Sequence, residues 1–214
     1  MQTVRLHTHL HDPLVAQVFR ILGYPAHAWQ LGVHFRCRAF SVEDPRRYAL
    51  DLLSDILGGG MSSRLFQRVR EQMGAAYYVK ASSDLYTDHG YFAVSAGVEH
   101  SKLEPVVTAI LEELAKTAAA PIPADELRRA KDHLAGGMLL GLETSDSLAN
   151  YYGGQEILRE KLMTPDELIQ KIEAVTTEEV RAVAKTIFAN QGLNMAMVGP
   201  FNDQPRAQTI LQFP

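Results

Sequence analysis

Cysteine is nearly missing from this chain: Cys37 is the only one among 214 residues. That excludes an internal disulfide and any cysteine-rich zinc site. A lone thiol most often serves as a small core residue. No apolar run approaches the roughly 20 residues needed to cross a bilayer. The first residues, Met1-Gln2-Thr3-Val4-Arg5, have no basic-then-apolar leader pattern. A soluble chain, cytoplasmic or periplasmic, is the expectation, any leader lying upstream. Basic residues form no run either. With 21 Lys and Arg against 25 Asp and Glu, the net charge is −4, and nucleic acid is not a favoured partner. Internal repeats and low-complexity tracts are also lacking.

What remains is ordinary globular composition, 46% hydrophobic and 21% charged. The length suits one large domain or two small ones with a real core. From Trp29 to Phe40, Leu31, Val33, Phe35, Cys37 and Ala39 alternate with polar residues, the period of a strand with one buried face. Asp44-Pro45 then opens a helix, Asp44 as N-cap, carrying Tyr48, Leu52, Leu53, Ile56 and Leu57 at helical spacing. Gly58-Gly59-Gly60 stops it, and at least one of these glycines is expected at positive φ. A second helix is expected from about Ser62 to Met73, ended by Gly74. Two strands follow, about Ala75–Leu85 and Tyr91–Val98, joined by the turn Thr87-Asp88-His89-Gly90. Ser101 and Glu104 have capping-box spacing before another helix.

Beyond the Ala118–Pro123 connector, the pattern from Ala124 to about Ala189 is helical throughout. Within it, Thr164-Pro165-Asp166-Glu167 and Thr176 to Glu179 carry start signals. A short strand, Leu193–Val198, closes the order. Strands and helices are segregated, which predicts an α+β fold: an antiparallel or mixed sheet with helices on one face. The expected organisation is an N-terminal segment over 1–28, a single domain over 29–200 and a tail over 201–214.

The informative stretch runs from Leu57 to Tyr77: Leu-Gly-Gly-Gly-Met-Ser-Ser-Arg-Leu-Phe-Gln-Arg-Val-Arg-Glu-Gln-Met-Gly-Ala-Ala-Tyr. It describes a glycine turn, a serine-capped amphipathic helix, a glycine stop and a strand. A phosphate cradle is disfavoured, because no Gly-Lys-Ser/Thr follows and a helix rather than a strand precedes. On residue type alone, Arg70 reads as a charge at a helix C-terminus and Tyr77 as a strand tyrosine.

The same stretch resembles the signature of the C-terminal halves of insulinase/pitrilysin-type zinc metallopeptidases, which include mitochondrial processing peptidase. Gly90-Tyr91-Phe92, Val175-Thr176-Thr177-Glu178-Glu179-Val180 and Val198-Gly199-Pro200 are similar too, so the likeness covers about residues 30–200. It implies one of two α+β halves that close over an unfolded peptide. The other half supplies His-x-x-Glu-His and a distant Glu around zinc. This half supplies an arginine and a tyrosine, which map onto Arg70 and Tyr77 as catalytic residues. Gly58, Gly59, Gly60 and Ser62 are the expected substrate-binding positions. The implied partners are a zinc-bearing N-terminal half or partner subunit and a peptide substrate, in a homodimer or heterodimer. The zinc belongs to the partner half, and this chain is expected to bind none. The rival reading is a catalytically silent subunit that holds peptide or scaffolds a complex.

His-x-x-Glu-His is absent. The nearest stretch, Ala96-Gly97-Val98-Glu99-His100, has Ala in place of the first His and lies at a strand end, where a metal pair at that spacing does not form. His7, His9 and His11 alternate and would share a strand face, but a loosely ordered terminus is the plainer reading. Glu112-Glu113 and Glu178-Glu179 read as solvated helix faces. Tyr77-Tyr78 and Tyr151-Tyr152 are candidates for peptide contact, although packing is the commoner use.

Overall fold

The alternation over residues 31–39 builds the central strand, β2 (Gln30–Ala39), which buries Val33, Phe35 and Cys37 and turns His34 and Arg38 outward. The computed structural model describes residues 3–7, 30–159, 161–189, 192–198 and 210–213. Around β2 lie β1 (Thr3–His7), β3 (Ala76–Leu85), β4 (Gly90–Glu99) and β5 (Leu193–Val198). Their spatial order is β1-β5-β2-β4-β3, and every pairing is antiparallel, with no mixed pairing among the described residues. Thr3–His7, read from sequence as part of a separate segment, is an edge strand of this sheet. His9 and His11 lie outside the described residues.

One sheet face is apolar. Phe92, Val94, Ala96 and Val98 of β4 alternate inward beside Val79, Met195 and Met197, all essentially buried. Three helices cover that face: α1 (Arg47–Gly58) over β3, α2 (Leu103–Ala119) over β4, and α6 (Thr177–Ile187) over β2. On α1, Leu50, Leu52, Leu53 and Leu57 are fully enclosed. Each such side chain contributes about 1.5–3 kcal/mol by leaving water. Phe188 meets Phe92 edge-on with ring centroids 5.1 Å apart. Leu211 is fully buried, so part of the stretch expected as a tail completes the core.

The helices depart from expectation at their starts. Asp44 does not cap α1; its carboxylate instead accepts the Arg46 backbone N–H at 2.9 Å, and the helix begins at Arg47. Ser101 sits in a short 3-10 turn and donates to Glu99, so it caps nothing. The stretch expected to be helical from Ala124, with starts at Thr164 and Thr176, is four helices: α3 (Ala124–Gly141), α4 (Ser145–Leu158), α5 (Pro165–Ala174) and α6. The break after α3 is made by Thr144, whose hydroxyl accepts the Ser147 N–H at 3.1 Å. Both threonine-glutamate capping boxes form, Thr164 with Glu167 and Thr176 with Glu179. Glu179 is thereby a cap, not simply a solvated face. No helix among the described residues is long and apolar enough to cross a membrane.

Candidate functional site

The Leu57–Tyr77 stretch folds as a turn, a short wide helix and the entry to an edge strand. Gly58 is buried where α1 passes β3: a β-carbon there would stand 2.0 Å from the Ala81 backbone nitrogen. Gly59 has φ −77°, and a β-carbon on it would strike Asp55 of the preceding turn. Gly60 is open. None of the three has positive φ, contrary to expectation; Gly58 and Gly59 are required by close approach rather than by backbone hand, and Gly60 by neither. Ser62 is exposed, while Ser63 closes the turn, donating from its hydroxyl to the Gly60 carbonyl at 2.6 Å.

The expected α-helix is a single helical turn leading into a π-helix, Phe66–Gln72. Its wider winding shows in the Met73 N–H reaching the Arg68 carbonyl five residues back, at 3.1 Å. Such π segments are uncommon and cluster at functional sites. Gly74, at φ 53°, ends it and is the position where the left-handed backbone is used.

The three arginines of this segment have different fates. Arg64 meets Glu126 side-on, Nε to Oε1 at 2.8 Å and Nη2 to Oε2 at 2.6 Å, and donates to Thr117. Arg68 pairs with Glu112 and Glu113. These two acids were expected on a solvated face; instead they anchor the π-helix to α2. Arg70 is exposed, stacked over the Phe66 ring at 4.8 Å, and no carboxylate pairs with it among the described residues.

Tyr77 follows on the edge strand. The β3–β4 register slips between Ala76 and Tyr78, so Tyr77 is the extra residue of a bulge and is 71% exposed. Bulges re-aim a side chain in this way. Tyr78, by contrast, lies flat against Gly97, where a β-carbon would come 2.5 Å from its ring. Tyr151 is also in use, donating its hydroxyl to the Met163 carbonyl at 3.1 Å.

Sequence reasoning missed a polar cluster on α1. Asp51 and Asp55 stand one turn apart. Ser83 of β3 donates to Asp51 at 2.7 Å, and His133 of α3 meets Asp55 at 2.7 Å. Burial pushes the Asp51 carboxyl above the usual carboxylate range, against the pull of Ser83, Arg47 and Arg159. Burial raises Asp55 as well, against the pull of His133. The i, i+4 spacing of two acids inside an apolar helix was the signal available. No group of three His, Cys, Asp or Glu side chains among the described residues is placed to hold a metal. Ala96–His100 crosses from the end of β4 into the 3-10 turn, not a helical face.

An α+β domain with an exposed arginine that no carboxylate pairs among the described residues, an exposed tyrosine at a bulge of an edge strand, and no metal cluster in its described part is the class defined by this geometry. The sequence model of the Peptidase M16 inactive domain matches residues 10–134, and the chain belongs to that family. It is 38% identical over 161 residues to "Uncharacterized zinc protease SCO5738" of Streptomyces coelicolor, covering 75% of this chain and 35% of that protein. To "Uncharacterized zinc protease YmxG" of Bacillus subtilis it is 34% identical over 168 residues, covering 78% and 41%. The chain thus spans well under half the length of these relatives. The solved peptidase M16 inactive domain from Pseudomonas fluorescens shares the fold, with a TM-score of 0.73, 22% identity, and coverage of 82% of this chain and 42% of that one. A protease from Helicobacter pylori gives a TM-score of 0.74 at 21% identity, with coverage of 80% and 41%.

Proposed function

We propose that this chain is the C-terminal, non-zinc-binding half of a zinc metalloendopeptidase. It encloses peptide substrate and donates Arg70 and Tyr77 to a zinc site carried by a partner half. The observation that carries the reading is the contrast among the segment's arginines: Arg64 and Arg68 are consumed by glutamates, while Arg70 is left exposed, as is Tyr77 at the bulge of β3 seven residues on. A fold-stabilising role would spend these groups; an intermolecular role leaves them open.

The chemistry fits the residue types. Zinc in the partner half supplies activated water for amide hydrolysis. As the carbonyl oxygen gains negative charge, the Tyr77 hydroxyl donates to it, an effect worth roughly 3–4 kcal/mol for one well-placed donor. The Arg70 guanidinium clamps neighbouring substrate carbonyls with its fixed fork of N–H groups. Gly59, Gly60 and Ser62 offer an exposed turn for substrate, while Gly58 serves by letting α1 approach β3.

The test is hydrolysis of an internally quenched peptide by the zinc-bearing half alone, with this chain added, and with the Arg70→Ala/Tyr77→Phe double variant added. Turnover should require both halves and fall at least a hundredfold with the double variant. Wild-type turnover with the double variant would sink the catalytic role and put the silent, peptide-holding subunit in its place.

A further inference from the structure

Seven of the ten large hydrophobic side chains that stand exposed among the described residues fall between Leu139 and Leu162. Ile157 is 82% exposed and Leu140 70%. This stretch comprises the last turn of α3, all of α4 and the loop beyond it. A surface helix normally buries an apolar stripe against its own core. Here the only buried residue of α4 is Gln155.

The arm is nevertheless held in place. Gln155 donates to the Met163 carbonyl at 3.1 Å, and the Met163 N–H donates back to its side-chain oxygen at 2.9 Å. Tyr151 adds a bond to the same carbonyl. Thr144 caps the other end. A polar clamp therefore fixes a helix whose apolar residues face outward, which is the design of a presented surface rather than of a core element.

We propose that this arm, the end of α3 with α4 and Leu162, is the surface on which the zinc-bearing half docks. The inference rests on the two-half reading above. The occupant follows from length: in the zinc protease relatives, the matched stretch is 35% and 41% of the polypeptide. More than half of each such chain therefore lies outside the matched stretch, tethered at high effective concentration, and it meets the arm before a second copy does.

The experiment uses this chain and the zinc-bearing half that completes the protein, made as a separate polypeptide. Binding is measured by calorimetry for wild type, Leu140→Asp, Ile157→Asp, the pair together, and Thr108→Asp on the exposed face of α2 as control. Both side chains are exposed, so melting temperatures should stay near wild type. Each arm variant should weaken binding at least tenfold and the pair at least a hundredfold, with Thr108→Asp unchanged. Amide exchange on the wild-type complex should slow across residues 139–162, a readout that needs no variant. Undiminished binding by the pair, with no such slowing, would overturn the docking surface and leave the two-half reading standing. No binding by wild type would overturn both. A dimer of this chain alone that Ile157→Asp dissolves, with the arm unprotected by the zinc-bearing half, would give the surface to a second copy and overturn the proposal.

Discussion

Arg64 and Glu126 face each other fork to fork, 2.8 and 2.6 Å across two parallel hydrogen bonds, and join the start of the π-helix segment to α3. The pair and its charged neighbours raise the Arg64 pKa above its ordinary value, with the Glu126 hydrogen bonds as the main cause. Side-chain exposure is only 20% and 19%, so neither group can simply return to water when the other is removed.

Glu126→Ala should therefore destabilise the chain by about 1.5–3 kcal/mol, the range for a hydrogen bond to a charged group. The exposed pair Arg129–Asp125 is the control: its partners are 63% and 72% exposed, and Asp125→Ala should leave the unfolding midpoint nearly unchanged. Urea unfolding of the two variants decides. Equal midpoints would mean that the fork is no more than a surface pair.

The glycines separate by cause. Gly58→Val forces a side chain into the Ala81 backbone and should cost about 1–3 kcal/mol or more through overpacking. Gly74→Ala meets no neighbour but must hold φ 53°, at a cost of roughly 1–2 kcal/mol. Gly60→Ala meets neither obstacle and should leave the melting temperature nearly unchanged. If Gly60→Ala proves as harmful as Gly58→Val, the explanation by close approach is wrong.

Much of this was legible in residue order. Val33, Phe35 and Cys37 announced β2, and Thr164 with Glu167 announced α5, because strand period and capping boxes depend only on near neighbours. The winding of Phe66–Gln72 was not legible, since hydrogen bonds to the fifth residue back leave the apolar spacing of Leu65 and Val69 unchanged. The pairing of Thr3–His7 with β5 joins residues 187 to 195 positions apart along the chain, a choice made by the sheet as a whole. Arg70 and Tyr77 became candidates only through a motif resemblance; nothing in their own residue types marks them. That Glu112 and Glu113 serve as anchors depends on where α2 lies against the π-helix, and spacing does not report that.

Asp51 gives a pH-dependent prediction. Its carboxyl is held above the usual carboxylate range in the folded chain, with burial as the largest cause. The folded state therefore binds more protons than the unfolded state between the unfolded pKa and the raised folded one, and stability falls as pH rises through that window. Asp51→Asn keeps an acceptor for Ser83 and removes the charge. It should raise the melting temperature at pH 7 and change it little near pH 3, where the carboxyl is protonated in both states. A variant that is less stable at pH 7 would show that Arg47 and Arg159 outweigh the burial cost.

The active-site proposal is separable residue by residue in the assembled two-half enzyme. Tyr77→Phe removes one exposed hydroxyl at the bulge and leaves the ring. If that hydroxyl donates to the developing oxyanion, kcat should fall roughly ten- to a thousandfold with KM little changed. Arg70→Ala removes a clamp on substrate carbonyls, so KM should rise alongside any loss in kcat. Phe66→Leu keeps the guanidinium but takes away the ring on which it stacks at 4.8 Å. As a positioning residue, Phe66 should matter only about two- to fivefold, the worth of an exposed cation–π contact, and its loss should be absent in an Arg70→Ala background. Zinc content should stay at wild type in all of these, because none is a ligand. If instead Tyr77→Phe is silent while Phe66→Leu and Arg70→Ala lower only the melting temperature, the pair belongs to the fold of this half and not to the reaction.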